Sequence, residues 1–248
     1  SGIPLGQIAG TALVMVPMIR HALRGAQSGW EGAALKVAVR VGLPLTPRVL
    51  VSVASSHLDK VLVGLIADVG GVGVYSIGQR LAYVVFSYMT ALENVFVQRV
   101  LRMMFEGGPG APERIGRYLT PFAYWSVLVA AAVTLFSYEG LLIVAPPGYL
   151  AATPIISILV VHYSLMFFSK QRQLVFAKKA HVLSMLSVVL LVLSAALNIP
   201  LVRAFGPVGA AAGTATAGAI YVWLTFRLSQ KYNPISYEAG RIWIIYGG

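Results

Sequence analysis

The chain has 248 residues, 58% of them hydrophobic and only 11% charged, where an average soluble protein carries about 25% charged residues. With a mean hydropathy of +0.78 it belongs in a bilayer, and with no cysteine it offers neither a disulfide framework nor a thiolate metal site. Counted by the roughly 20 apolar residues needed to cross a hydrocarbon core, it has room for about six to eight crossings once loops are allowed for.

The first apolar run, 3–19, is already under way where the chain begins. No basic segment precedes it and no small-residue cleavage site closes it, so a cleavable signal peptide is not expected. Further runs follow at 41–67, 72–97, 118–144, 152–168, 182–202 and 208–226. Arg241 to Tyr246 then reads as a helix entering the membrane, clipped like the first, and a piece of a longer polytopic protein is the expectation.

The connections alternate in charge. Arg20, Arg24, Lys36 and Arg40 follow the first run, Arg99, Arg102, Arg114 and Arg117 the third, Lys170, Arg172, Lys178 and Lys179 the fifth, and Arg227, Lys231 and Arg241 the last. The intervening connections hold few cations: Pro146-Pro147-Gly148 has none, and the turn at Phe205-Gly206-Pro207 has only Arg203 beside it. Fifteen of the nineteen Lys and Arg residues thus share one side, which the positive-inside rule reads as cytoplasmic. The net charge of +11 then reports orientation. It does not point to nucleic acid, because the basic loops lack aromatic interleaving or a groove-reading motif.

Two spans carry polar seams. In 41–67, Arg48, Ser52, Ser55 and Asp59 recur at intervals of four, three and four, with Ser56 and Lys60 beside them. In 72–97, Arg80, Tyr83, Ser87, Thr90 and Asn94 recur at three or four, with Glu93 adjacent. Such spacing lays each set along one helix face. Ionisable groups are costly in a membrane and normally face a bundle interior or a watery cavity. A charge near a helix end can instead snorkel to the interface, and Asp59 could merely offset Lys60 or Arg80. Snorkelling does not account for hydroxyls and an amide continuing the same stripe over several turns, so a shared polar cavity is expected.

The later spans are nearly free of charge. His162 stands alone in the fifth run and reads as a packing residue. The last run opens Gly209-Ala210-Ala211-Ala212-Gly213 and continues to Gly218, with small residues four apart that permit close helix approach. Pro17, Pro44, Pro47, Pro121 and Pro154, in or at the ends of spans, imply bends. Nothing resembles a nucleophile–base pair, a metal-ligand cluster or a phosphate-binding glycine loop, so neither enzymatic activity nor a metal or other cofactor is expected.

Gly42-Leu43-Pro44-Leu45, Asp59-Lys60-Val61-Leu62-Val63-Gly64, Val72-Gly73-Val74-Tyr75-Ser76 and Gln79-Arg80-Leu81 resemble the start of the second half of polysaccharide and lipid-linked oligosaccharide flippases. These belong to the multidrug/oligosaccharidyl-lipid/polysaccharide exporter superfamily. Asn198-Ile199-Pro200-Leu201 followed by Phe205-Gly206-Pro207-Val208-Gly209-Ala210-Ala211-Ala212-Gly213-Thr214-Ala215 is similar to their tight outer turn leading into a small-residue helix. The resemblance covers nearly the whole chain. It implies an all-α, polytopic membrane helix bundle, the second six-helix lobe of a two-lobe transporter. The end of the last helix of the first lobe would lie at 1–19, a cytoplasmic inter-lobe linker at 20–40, the second lobe at 41–231 and the start of an additional helix at 232–248. The implied activity is movement of undecaprenyl-pyrophosphate-linked oligosaccharide, such as O-antigen or exopolysaccharide, across the bacterial inner membrane by alternating access. Membrane lipid and other polysaccharide-assembly proteins would be its partners. In the related lipid II flippases an acid and a cavity arginine occur in local sequence similar to that around Asp59 and Arg80, whereas Lys60 after the acid is closer to the polysaccharide branch.

A pyrophosphate concentrates negative charge, and guanidinium groups can meet it with paired hydrogen bonds. Arg48 and Arg80 are candidates for that role and Lys60 for a point-charge partner, with Asp59 or Glu93 orienting the cations or binding a coupling ion. Ser52, Ser55, Ser87 and Asn94 would complete the polar lining. A multidrug antiporter of the same superfamily should prefer acidic seams, and the seams here hold more cations than acids. A membrane-embedded glycan polymerase or ligase usually needs a large outer loop, and the outer connections here are short.

The alternation predicts that the connections near Arg24, Arg102, Arg172 and Lys231 face the cytoplasm. With no native thiol to interfere, a cysteine at Arg172→Cys should resist a membrane-impermeant maleimide in intact cells and react after permeabilisation. Strong labelling in intact cells would reverse the topology.

Overall fold

In hydrocarbon a backbone finds no water to bond, so a spanning segment must satisfy its own amides and carbonyls, and apolar runs of this length therefore become helices. The computed structural model describes residues 46–108, 110–166 and 180–232, together with Met15 and Pro17; side chains at 46–53, 56, 180 and 181 lie outside that description. Among these residues six α-helical segments form: α1 Thr46–Ile66, α2 Val69–Glu106, α3 Ala111–Leu135, α4 Ser137–Val144, α5 Thr153–Leu165 and α6 Ala180–Tyr232, with a 3-10 turn at Pro147–Ala152 leading into α5. No strand occurs among the described residues. The protein is an all-α helix bundle, and the segments Ala111–Leu135, Pro147–Leu165 and Val182–Tyr232 are long and apolar enough to cross a membrane. The described helices lie within one compact unit, Thr46–Gly248. Apart from Met15 and Pro17, the expected helix at 1–19, the linker at 20–40, the basic connection holding Lys170, Arg172, Lys178 and Lys179, and the extra helix at its residues 233–248 fall outside the described residues.

Helix ends do not coincide with the ends of apolar runs. The run 72–97 sits inside α2, whose 38 residues extend about 57 Å at 1.5 Å per residue, well beyond a hydrocarbon core of about 30 Å. Arg99 and Arg102 therefore lie on the helix itself, as do Arg114 and Arg117 on α3, α2 ending at Glu106 and α3 beginning at Ala111. The reason is that lysine and arginine are good helix formers, so a helix can outlast the polarity change at a membrane edge. The run 118–144, in contrast, is broken at Phe136, which caps both α3 and α4. Asp68 starts α2 by accepting a hydrogen bond from the Gly71 amide.

The runs 182–202 and 208–226 are the two arms of α6. Between them Gly206 adopts φ 57°, ψ −136°, a conformation essentially reserved for glycine, and Pro207 follows with no amide to extend the helix. The chain reverses there. Asn198 bonds Thr214 across the turn, and Leu183 and Leu186 of the first arm pack with Tyr221, Leu224 and Leu228 of the second.

The short α5 is the axis of the bundle, in contact with α2, α3, α4 and α6, while α1 packs against α2 and most extensively against α6. Ile155, Ile156, Leu159 and Val160 of α5 are buried and join Tyr75, Ala82, Val85 and Met89 of α2 and Val202, Ala210 and Ala211 of α6 in one core. Outward faces carry Val84, Val95, Leu128, Ile143, Met185 and Val192, all exposed. Large apolar side chains on the outside as well as the inside suit a bundle whose solvent is lipid.

Gly206→Ala should cost about 1–3 kcal/mol: an added Cβ would meet no neighbour within 4 Å, but a side-chain-bearing residue adopts φ 57°, ψ −136° only under backbone strain. It should appear as a lowered thermal midpoint in detergent. Gly140→Ala in α4, where an added Cβ meets nothing within 4 Å, should leave the midpoint unchanged or slightly raised.

Candidate functional site

An acid buried among helices needs donors, and Asp59 of α1, only 3% exposed, takes them from two other helices. The Tyr75 hydroxyl of α2 donates to its Oδ2 at 2.8 Å, and the Asn198 Nδ2 of α6 donates to its Oδ1 at 3.1 Å. The same Asn198 nitrogen reaches the Thr214 Oγ1 at 3.3 Å across the α6 turn, while the Asn198 Oδ1 is buried with no hydrogen-bond partner. Three helices and both arms of α6 thus converge on one carboxylate. Both of these hydrogen bonds to the carboxylate come from neutral side chains.

Asn198 can approach this closely because Gly213 stands opposite: a Cβ there would overlap the Asn198 side chain. One turn and a half further along, Gly218 makes room in the same way for the imidazole of His162, which is 5% exposed. The small residues of the last run therefore let α6 close onto its own first arm and onto α5. His162 packs as its isolation in the sequence suggests, but its Nδ1 is buried without a partner.

Beside this network lies a cavity of about 570 Å³, within the range of about 300–1,000 Å³ usual for small-molecule sites. Ser55, His57, Asp59 and Lys60 line it from α1; Gln79, Arg80, Tyr83 and Phe86 from α2; His162 and Tyr163 from α5; Leu190, Ser194 and Thr214 from α6, with Met166 just past α5. Two basic side chains, Lys60 and Arg80, and one acid, Asp59, share this lining.

The expected seams separate here. Ser55, Asp59, Lys60 and Arg80 come together at the cavity. The backbone of Arg48 and Ser52 lies on α1, but their side chains fall outside the described residues. On α2, Ser87 and Asn94 are exposed and not part of the cavity wall, and Glu93 is buried at 6% exposure on the face that includes Val85, Met89 and Phe96. Arg80 and Asn94 are fourteen residues apart, about 21 Å along a helix, so one cavity of this size does not take in the whole stripe. Tyr75, Gln79, Asn198 and Thr214 complete the arrangement and were not singled out as site residues by spacing. The available signal was chemical: Asn198 is an amide within an apolar run, and a carboxylate in such surroundings requires donors.

Among the described residues no group of three or more His, Cys, Asp or Glu side chains is placed to hold a metal ion. Comparison with protein-family models, curated proteins and solved structures finds no match to this chain.

The overlap at Gly213 predicts non-additive variants. Gly213→Ala should lower the thermal midpoint by forcing Asn198 from Asp59, and Asn198→Ala should lower it by removing a donor. The double variant should lose less than the sum by about 1 kcal/mol or more, since the smaller side chain removes the clash. Gly213→Leu should sharply reduce folded yield. Strict additivity of the first two changes would show that these residues do not press on one another.

Proposed function

We propose that this chain is part of a flippase that moves polyprenyl-pyrophosphate-linked oligosaccharide across a bacterial inner membrane by alternating access, in the manner its sequence motifs suggest. The observation that carries this reading is the charge of the cavity: Lys60 and Arg80 both line it against the single carboxylate of Asp59, and that carboxylate already accepts hydrogen bonds from Tyr75 and Asn198. The excess positive charge suits an anionic headgroup. It disfavours an organic cation, and with it the antiporter alternative.

A pyrophosphate brings several oxygens that accept hydrogen bonds. Arg80 can grip two of them with its planar fork, and Lys60 adds a compact charge from the neighbouring helix. Asp59, held by neutral donors, stands on the same cavity as the two basic side chains. The headgroup and adjoining sugar match the cavity in size. A polyprenyl chain does not, and it would stay in lipid along the apolar outer faces. Transport of this kind requires no covalent step from the protein, which fits the lack of a nucleophile–base pairing in the motifs.

In the full-length protein, Arg80→Ala should abolish translocation of lipid-linked sugar while the protein still accumulates in the membrane. Arg80→Lys should restore it only in part, since it keeps the charge and loses the fork. The measurement is delivery of labelled glycan lipid to the outer leaflet in cells or proteoliposomes. Wild-type transport by Arg80→Ala would remove Arg80 from the mechanism and return the cavity charges to a structural role.

A further inference from the structure

The cavity has a second wall of different chemistry. Tyr83 and Phe86 of α2 and Tyr163 of α5 all line it, and their rings form one cluster: centroids 5.0 Å apart for Tyr83 and Phe86, 5.4 Å for Phe86 and Tyr163, and 6.1 Å for Tyr83 and Tyr163, the last pair near perpendicular at 87°. Tyr163 packs against the core of the bundle, but Tyr83 and Phe86 do not belong to it. The stripe of α2 that packs against α5 runs through Ala82, Val85 and Met89, while Tyr83 is 51% exposed. Three rings brace one another at the edge of open space, with the polar side chains of Gln79, Ser194 and Thr214 on the same cavity.

We propose that this corner is a subsite for the first sugar of the cargo, whose C–H groups pack against the ring cluster of Tyr83, Phe86 and Tyr163 while the pyrophosphate lies on Arg80 and Lys60. The proposal rests on the flippase reading above and adds to it the residues that recognise the carbohydrate. Aromatic faces are electronegative and attract the weakly positive C–H groups of a pyranose ring. The hydroxyls, directed outward from the ring edge, would find Gln79, Ser194 and Thr214 as hydrogen-bonding neighbours. Spacing agrees: Tyr83 and Phe86 follow Arg80 by three and six residues, about 4.5 and 9 Å of rise along α2. A sugar joined through its anomeric oxygen to the second phosphorus has its ring at a similar remove from the charge. An isoprenoid chain would also accept an apolar wall, but it has no use for the polar groups placed around this one.

The test is a comparison of two probes on the purified full-length protein in nanodiscs, by microscale thermophoresis: undecaprenyl pyrophosphate, and the same lipid carrying one N-acetylglucosamine on the pyrophosphate. The unaltered protein should bind the sugar-bearing probe about tenfold more tightly. Tyr83→Leu and Phe86→Leu should each cut that ratio, and together bring it close to one, whereas Tyr83→Phe should keep it because stacking needs the ring and not the hydroxyl. Arg80→Ala should weaken both probes and preserve the ratio. Equal binding of the two probes by unaltered protein, a measurement independent of whether any variant folds, would overturn the subsite and leave the flippase reading standing. A ratio that persists in the leucine variants would make the rings structural, and equal weakening of both probes by those variants would assign them to the prenyl chain; either result overturns the proposal. Binding of neither probe would overturn the flippase reading and the subsite with it.

Discussion

A carboxylate buried between helices constrains everything around it. Leaving Asp59 without donors in such surroundings would cost several kcal/mol, so α2 must present Tyr75 and α6 must present Asn198 at bonding distance. Those two demands fix the rotation of α2 and the depth of α6. The rotation that turns Tyr75 inward to the acid also sets Gln79, Arg80, Tyr83 and Phe86 along the adjoining cavity. The depth that brings Asn198 to the acid requires Gly213 opposite it and a reversal at Gly206. Cavity and hairpin are both consequences of how one charge is satisfied.

The all-α class was legible in composition, and the helices follow the apolar runs because hydropathy marks the segments that must satisfy their own backbone. Boundaries were less legible. Nothing in the hydropathy of α2 marks that the helix continues through Arg99 and Arg102, since backbone hydrogen bonds do not depend on side-chain polarity. The break at Phe136 lies inside an unbroken apolar run, where no local signal opposes a continuous helix. The turn at Gly206-Pro207 was legible because one residue supplies the backbone conformation and the next withholds an amide.

The site was legible in half of its chemistry. Helical spacing brought Ser55, Asp59, Lys60 and Arg80 into view because residues three and four apart share a face. It could not assign Glu93, one position from the stripe, to the buried face of α2, nor show that Ser87 and Asn94 would lie beyond a cavity only a few turns deep. Periodicity gives the face of a helix but not how far along it a neighbour stays in contact. Partners supplied by other helices, Asn198 above all, are invisible to any pattern confined to one segment.

The bond from Asn198 to Asp59 joins residues 139 positions apart, and that separation bears on how the protein is made. During synthesis α1 and α2 emerge long before α6, and for that interval Asp59 can have Tyr75 but not its amide partner. At elongation rates of about 5–20 residues per second the wait is on the order of ten to thirty seconds. An acid that is only half satisfied is poorly suited to lipid, so the first hairpin should linger beside the insertion machinery, or in some other sheltered setting, until the last one arrives. The final helical hairpin then acts as the clasp of the bundle, and a chain that terminates before it would keep its helices while lacking the contact that holds them in register.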